Sequence, residues 1–300
     1  MSDPAAGPDP PDPLDERRTL RADCSRCQGL CCVAPAFARS ADFAVDKPAG
    51  RPCPQLRSDL RCGIHADLRE RGFAGCAVFD CFGAGQQVVQ ATFAGRDWRD
   101  GPGTAASMFA VFDVMRQLKE LLWYLAEALA LLPPGPLRAQ AERAQEETRR
   151  LVAAPAVDLE RLDGAGHRAL AGQLLASVSE ELRADVPGRG RDRVGADLVG
   201  ARLQDADLHG ISLRGAYLLG ADLRRADLTR TDLLGADLRG ADLRGARLSD
   251  SLFLTQPQVE AARGDAGTPL PASLVRPGHW SSPPGRTQAR TPQKGRRRSR

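Results

Sequence analysis

No apolar run in this chain is long enough to cross a bilayer. The longest, Leu121 to Leu132, is interrupted by Glu127 and falls short of the roughly 18 apolar residues a membrane-spanning helix needs. One-sided charge is lacking as well. The 42 Lys+Arg against 38 Asp+Glu leave a formal charge of +4, so no global field directs the protein to a membrane or a nucleic acid. Lysine is scarce, with only Lys47, Lys119 and Lys294 among the basic residues, a bias of composition from which nothing functional follows. No G-x-x-x-x-G-K-[ST], H-E-x-x-H or G-x-S-x-G is present, which removes the commonest phosphate-binding, zinc-protease and serine-hydrolase signatures. The start, MSDPAAGPDPPDP, has neither the basic residues nor the apolar run of an export signal. A cytoplasmic location is therefore expected. Cysteine is absent from the last 219 residues, and that absence makes its concentration elsewhere informative.

The two ends differ from the body. Five prolines in the first 13 residues, with almost nothing apolar between them, predict a disordered leader over 1–20. Residues 281–300 carry Arg286, Arg290, Lys294, Arg296, Arg297, Arg298 and Arg300 and no acid. They are expected to form a disordered basic tail whose only nucleic-acid role is weak, nonspecific contact. Removing these seven charges from +4 leaves −3, so the rest of the chain is slightly acidic.

Between the ends, the composition divides the chain into a Cys-rich module over 21–95, a helical region over 100–186, a linker over 187–195, a repeat over 196–255 and a C-terminal cap over 256–280. In the helical region Met108, Val111, Met115, Leu118, Leu122, Leu125, Leu129 and Leu132 alternate steps of three and four, one stripe of a long helix. Pro133, Pro134 and Pro136 stop it. A polar helix over about 137–153 and a third over about 167–184 complete the region. The third is expected to cap the repeat that follows it.

All eight cysteines lie between Cys24 and Cys81, as C24-x2-C27-x3-C31-C32 followed by Cys53, Cys62, Cys76 and Cys81. Thiolates at x2 spacing can converge on one ion. A metal is the leading reading, with redox or disulfide chemistry and inert buried thiols as the alternatives. The segment DCSRCQGLCC with RPCPQL, RCGIH and GCAVFDC resembles the bacterial CxxCxxxCC family of zinc- or iron-chelating domains. That resemblance implies Cys24, Cys27, Cys31, Cys32, Cys53, Cys62, Cys76 and Cys81 as metal ligands. Eight thiols exceed the four of one tetrahedral zinc, which leaves two ions, one iron–sulfur cluster with spare thiols, or one ion with the others buried. The bacterial ferredoxin spacing is not reproduced. His65, three residues after Cys62, is either a further ligand or a surface or packing side chain.

From Ala196 the chain runs in fives: ADLVG, ARLQD, ADLHG, ISLRG, AYLLG, ADLRR, ADLTR, TDLLG, ADLRG, ADLRG, ARLSD, SLFLT. The third position is Leu in eleven of these twelve units and Phe253 in the last, and the first is Ala in nine. A period of five fits neither helix nor strand, so it points to a solenoid in which each unit makes one side and the third-position side chains fill the axis. The pattern A-D-L-x-x resembles the pentapeptide-repeat family, as does the following segment over 253–280. The resemblance implies a right-handed quadrilateral β-helix of about three coils, roughly 14 Å long, in an α+β multidomain chain. Some members of that family mimic DNA and occupy topoisomerases. Here nine Asp meet eight Arg over 196–250, which neutralises the surface, and the shaft is short. DNA mimicry is therefore a minor alternative. Val199, Tyr217 and Leu219 on one outward ladder, and Leu234, Leu252 and Leu254 on another, are apolar where solvent is expected. They contact either a protein partner, a second copy of the chain, or the chain's own helices. His209 faces outward and is read as solvated.

These readings converge on a non-enzymatic interaction scaffold carrying a cysteine module for zinc or iron. A metal- or redox-dependent sensor or catalyst using the same thiols is the alternative.

Overall fold

A computed structural model describes residues 17–186 and 192–281. The long periodic stripe forms α1, Pro102–Leu131. It opens on Pro102, whose missing N–H costs nothing in a first turn. It ends where Leu132 turns extended ahead of Pro133. Two further helices, α2 (Pro136–Val152) and α3 (Gly164–Leu182), pack against it. The third starts earlier than its apolar face alone suggests, because the Asp163 carboxylate accepts from Gly166 N and caps the end. Between α2 and α3, His167 Nε2 lies 3.0 Å from Thr148 Oγ1. Burial pulls His167 below the usual histidine range, and Glu147 opposes this more weakly. A lowered folded-state pKa means stability present above the unfolded value and lost as pH falls. Tm should therefore drop between pH 7.5 and 5.5, and His167→Gln should drop less. An equal fall in both proteins would contradict this.

The repeat behaves as a coil of twenty residues. Parallel bridges join Asp197 to Tyr217, Arg202 to Asp222, Asp207 to Asp227 and Ser212 to Asp232, and the same offset recurs to Asp232 and Leu252. Each unit contributes one bridging residue, so the described residues contain no longer strand there, only single bridges joined by turns. The fifth position turns the chain. At Gly215 and Gly220 φ is +63° and +64°, a region glycine enters without a Cβ penalty. The axis is filled by Leu213, Leu218, Leu223, Leu228, Leu233 and Leu238, all essentially inaccessible. Leu223→Ala should cost about 2–5 kcal/mol in denaturant unfolding. A loss below about 1 kcal/mol would contradict a packed axis.

Every fourth unit breaks the A-D-L pattern, with Ile211, Thr231 and Ser251 in first position, and these units form one side of the coil. On that side the second position is buried too, at Ser212, Asp232 and Leu252. The helices cover it. Arg214 Nη2 donates to Leu175 O of α3 (2.8 Å) and pairs with the fully buried Asp232 (3.0 Å). Arg230 reaches Leu182 O, and Arg183 Nη1 donates to Gly210 O (2.9 Å). From α1, Tyr124 packs edge-on against Phe253, and Glu127 Oε1 accepts from Phe253 N (2.6 Å). The contacts from α3 reach the fourth-unit side at Gly210, Arg214 and Arg230, and those from α1 reach it at Phe253, so the third helix lies against the flank of the repeat rather than capping its end as expected. Flank packing wins because the fourth-unit side is the one that offers apolar and buried polar surface to a helix.

After the repeat, α4 (Gln256–Ala261) leads to Arg263, which bridges to Asp242. Arg263 N donates to Ala241 O (2.8 Å) and accepts from Leu243 N (2.7 Å) through its carbonyl. The last coil's backbone groups are thus paired by the segment that follows. Trp280 is buried, with Nε1 donating to Ala262 O.

Two boundaries differ from expectation. The leader expected over 1–20 ends earlier, for Arg17 and Leu20 are buried. Leu20 joins the helical core, and Arg17 pairs with Glu127 at 2.6 Å beneath Trp123. The coil also begins inside the expected linker: Arg193 N donates to Ser212 O and Gly195 N to Arg214 O (2.8 Å each). The remainder of the leader (1–16), residues 187–191 and the tail from 282 lie outside the described residues. The apolar core runs without a break from Leu20 through α1 and the repeat to Trp280.

Candidate functional site: the cysteine cavity

Residues 21–100 hold few regular elements, short helical turns such as Leu30–Val33 and Ala74–Ala77 and one helical stretch over 84–92. A region so poor in ladders must be positioned by turns and by its docking on α1. Leu30, Phe82, Ala84 and Val88 supply that docking, buried in the same core as Met108 and Phe112. Around this anchor the chain folds so that all eight cysteines border one cavity of about 510 Å³, with His65 also in its lining. All eight are free thiols.

Local backbone explains how distant cysteines meet. Cys53 N donates to Cys32 O (2.9 Å), and Leu56 bridges to Cys62, so 53–62 folds back on itself beside the helical turn that carries Cys31 and Cys32. In the run Cys27-Gln28-Gly29, Gly29 has φ +68°, and in Cys81-Phe82-Gly83, Gly83 has φ +80°. These reversals aim N–H groups at sulfur. The Cys27 sulfur faces the N–H groups of Gly29 and Leu30, and Cys81 those of Gly83, Ala84 and Gly85. Cys53 and Cys62 receive Gln55 and Ile64 in the same way. A thiol is a weak acceptor, whereas a thiolate is a strong one, so these donors favour the charged sulfur. The Gly29 and Gly83 signal was present in the sequence as C-x-G and was missed. Gly85 is equally constrained: a Cβ there would stand 2.5 Å from Cys27 Sγ.

Burial works against ionisation. It pushes Cys27 up to about 11 and Cys76 up to about 12, and raises Cys24, Cys53, Cys62 and Cys81. Cys32 differs. The hydrogen bond from Cys31, at 3.9 Å between sulfurs, pulls it down to about 7 against burial, with Lys47 and Cys62 helping. Lys47 is itself buried, and its Nζ donates to the carbonyls of Val33 (2.9 Å), Pro48 (3.2 Å) and Arg51 (3.0 Å). Sequence reasoning did not single it out, since a lone lysine has no pattern. It places one positive charge among the thiols.

Among the described residues, no three His, Cys, Asp or Glu side chains stand in an arrangement that holds a metal ion. The donor set suits zinc or iron in kind and number.

The apolar ladders on the repeat separate. Leu252 and Leu254 are buried at 5% and 1% exposure, and Leu234 packs partly buried on the core. That ladder is largely buried within the chain itself, against the expectation of an outward surface. Val199, Tyr217 and Leu219 stay exposed, at 56%, 56% and 40%. His209 is half-buried in the repeat. Elsewhere the outward Asp and Arg pair with each other, as Arg224 with Asp222 (2.6 Å) and Arg239 with Asp237 (2.6 Å). Among the described residues no helix is long and apolar enough to cross a membrane.

A twenty-residue coil built from A-D-L-x-x units is the mark of one class of protein, and the model for pentapeptide repeats (8 copies) matches residues 194–230 and 216–253. The chain is a pentapeptide-repeat protein. It belongs to one family with "Uncharacterized protein YybG" of Bacillus subtilis (strain 168), to which it is 55% identical over 269 residues, 87% of this chain and 95% of that one. This match is far longer than the repeat. Among solved structures it is similar to a pentapeptide repeat protein from the thylakoid lumen of Arabidopsis thaliana, at 33% identity over 30% of this chain and 57% of that one, with a TM-score of 0.22. It is also similar to HetL of Nostoc sp. strain PCC 7120, involved in heterocyst differentiation regulation, at 33% identity over 26% and 44% of the two chains, with a TM-score of 0.10. The chain thus spans about half the length of these two structures.

Proposed function

We propose that this pentapeptide-repeat protein is a non-enzymatic interaction scaffold whose N-terminal cysteine region binds zinc or iron. The observation that carries the metal half is the gathering of all eight cysteines around one cavity, with backbone N–H groups aimed at four of them. Cys24, Cys27, Cys31, Cys32, Cys53, Cys62, Cys76 and Cys81 would hold the metal after small movements of their side chains. Bound zinc would cross-link loops that have little regular structure, and iron would add a redox couple. Eight free thiols suit a reducing compartment, and the cytoplasm is the location this reading assigns.

The scaffold half has a different support. The twenty-residue offset of the bridges favours a right-handed quadrilateral β-helix of about three coils, whose axis is packed with Leu and offers no pocket for a substrate. Its exposed ladder of Val199, Tyr217 and Leu219 is the surface a protein partner would use.

Elemental analysis and an absorption spectrum of the full chain, purified without air, test the metal reading. Zinc in a colourless protein supports a structural centre. Iron with sulfide and a visible band moves the weight to a redox sensor on the same thiols. Protein free of both metals overturns the reading.

A further inference from the structure

The eight thiols are not one undivided set. Cys24, Cys27, Cys31 and Cys81 interact with one another: Cys24 with Cys81, Cys27 with both Cys81 and Cys24, and Cys31 with Cys27 and Cys81. Cys53, Cys62 and Cys76 interact instead with Cys32 and among themselves. The two groups meet at Cys32, whose sulfur lies 3.9 Å from that of Cys31 and which also interacts with Cys24.

Backbone geometry divides them in the same place. Cys31 and Cys32 are consecutive on the helical turn Leu30–Val33, and consecutive helical side chains diverge by about 100°. Each can therefore serve a different group, while the 3.9 Å between their sulfurs makes the groups neighbours. The N–H donors are distributed evenly. Cys27 and Cys81 receive them in the first group, and Cys53 and Cys62 in the second. Four thiolates are the complement of one tetrahedral zinc or of one iron–sulfur cluster. A divalent ion in such a set leaves a net charge of −2, and the buried Lys47 ammonium interacts most with Cys53, then with Cys32, Cys76 and Cys31, so it offsets part of that charge chiefly for the second group.

We infer that the cavity holds two four-cysteine metal sites side by side, Cys24/Cys27/Cys31/Cys81 and Cys32/Cys53/Cys62/Cys76, meeting at the adjacent pair Cys31 and Cys32. The inference rests on the metal-binding reading above and adds its stoichiometry and partition. Assembly of each site releases thiol protons to solvent as the ion enters, so no oxidant or reductant takes part. His65 is not needed as a ligand.

Cobalt(II) is the probe, titrated under reductant and without air into the full chain stripped of metal and followed by thiolate-to-cobalt charge-transfer absorption. Wild-type protein should saturate at two equivalents per chain. Cys81→Ser and Cys76→Ser should each saturate at one tight equivalent, and the double variant should retain none. If either variant fails to fold by circular dichroism, Cys24→Ser or Cys62→Ser takes its place with the same expectation. Saturation at one equivalent in wild type, or loss of both equivalents in a single variant, overturns the partition and leaves metal binding intact. No thiolate-to-cobalt band in wild type overturns the metal reading itself.

Discussion

Glu127→Ala is expected to destabilise the protein by about 3–5 kcal/mol, the cost of stranding a buried charge by removing its partner. Glu127 is the one acid inside the apolar stretch of α1, and the structure gives it two tasks. Its Oε2 accepts from Arg17 Nη2 (2.6 Å), and its Oε1 accepts from Phe253 N in the last repeat unit (2.6 Å). Burial dominates at both ends of the pair: it raises Glu127 and lowers Arg17, with their mutual attraction opposing each shift. The alanine variant leaves the Arg17 guanidinium buried under Trp123 and the Phe253 N–H without an acceptor. Denaturant unfolding checks the value, and the double variant Glu127→Ala, Arg17→Met should recover part of the loss. A loss under about 1 kcal/mol in the single variant would mean that water reaches the pair.

The second large effect concerns the zinc or iron proposed for the cysteine region. Stripping it should loosen the cysteine region while the helices and repeat stay folded, because the two parts are stabilised differently. Residues 102–186 and 192–281 bury a continuous apolar core, whereas 24–81 contains only short turns and few buried side chains beyond Leu30, Val33 and Phe73. Structural zinc contributes about 10–16 kcal/mol of binding free energy in small domains. Hydrogen exchange with mass spectrometry on the full chain, before and after chelation under reductant, should show protection lost by at least tenfold in peptides from 24–81 and unchanged in α1 and the repeat. Equal protection in 24–81 with the metal gone would contradict a structural role.

Much of the architecture was legible because two periods dominate the sequence. Steps of three and four give α1, and steps of five give the coil. The side on which the helices dock was also written there, in the fourth units ISLRG, TDLLG and SLFLT, whose departures from A-D-L mark the face that leaves solvent. What those departures meant depended on contacts distant in sequence. Asp232 resembles the other second-position aspartates until Arg214 and the α3 carbonyls are seen to enclose it. Leu252 and Leu254 looked like partner surface for the same reason. Arg17 sits next to a proline-rich leader whose composition hides it, and only its pairing with Glu127 110 residues away explains its order.

The cysteine site was half legible. Spacing identified the eight thiols, and nothing local could say which of them meet, because turns rather than one motif bring all eight to the same cavity. The glycines at 29 and 83 were the available clue. They matter because a positive φ two residues after a cysteine turns N–H groups back toward its sulfur.

X-ray absorption at the metal edge of the full-length protein, as purified without air, tests the central claim most directly. A first shell made only of sulfur, at about 2.3 Å for zinc, is the predicted result. A shell dominated by oxygen or nitrogen, or one that persists after all eight cysteines are alkylated, would contradict it.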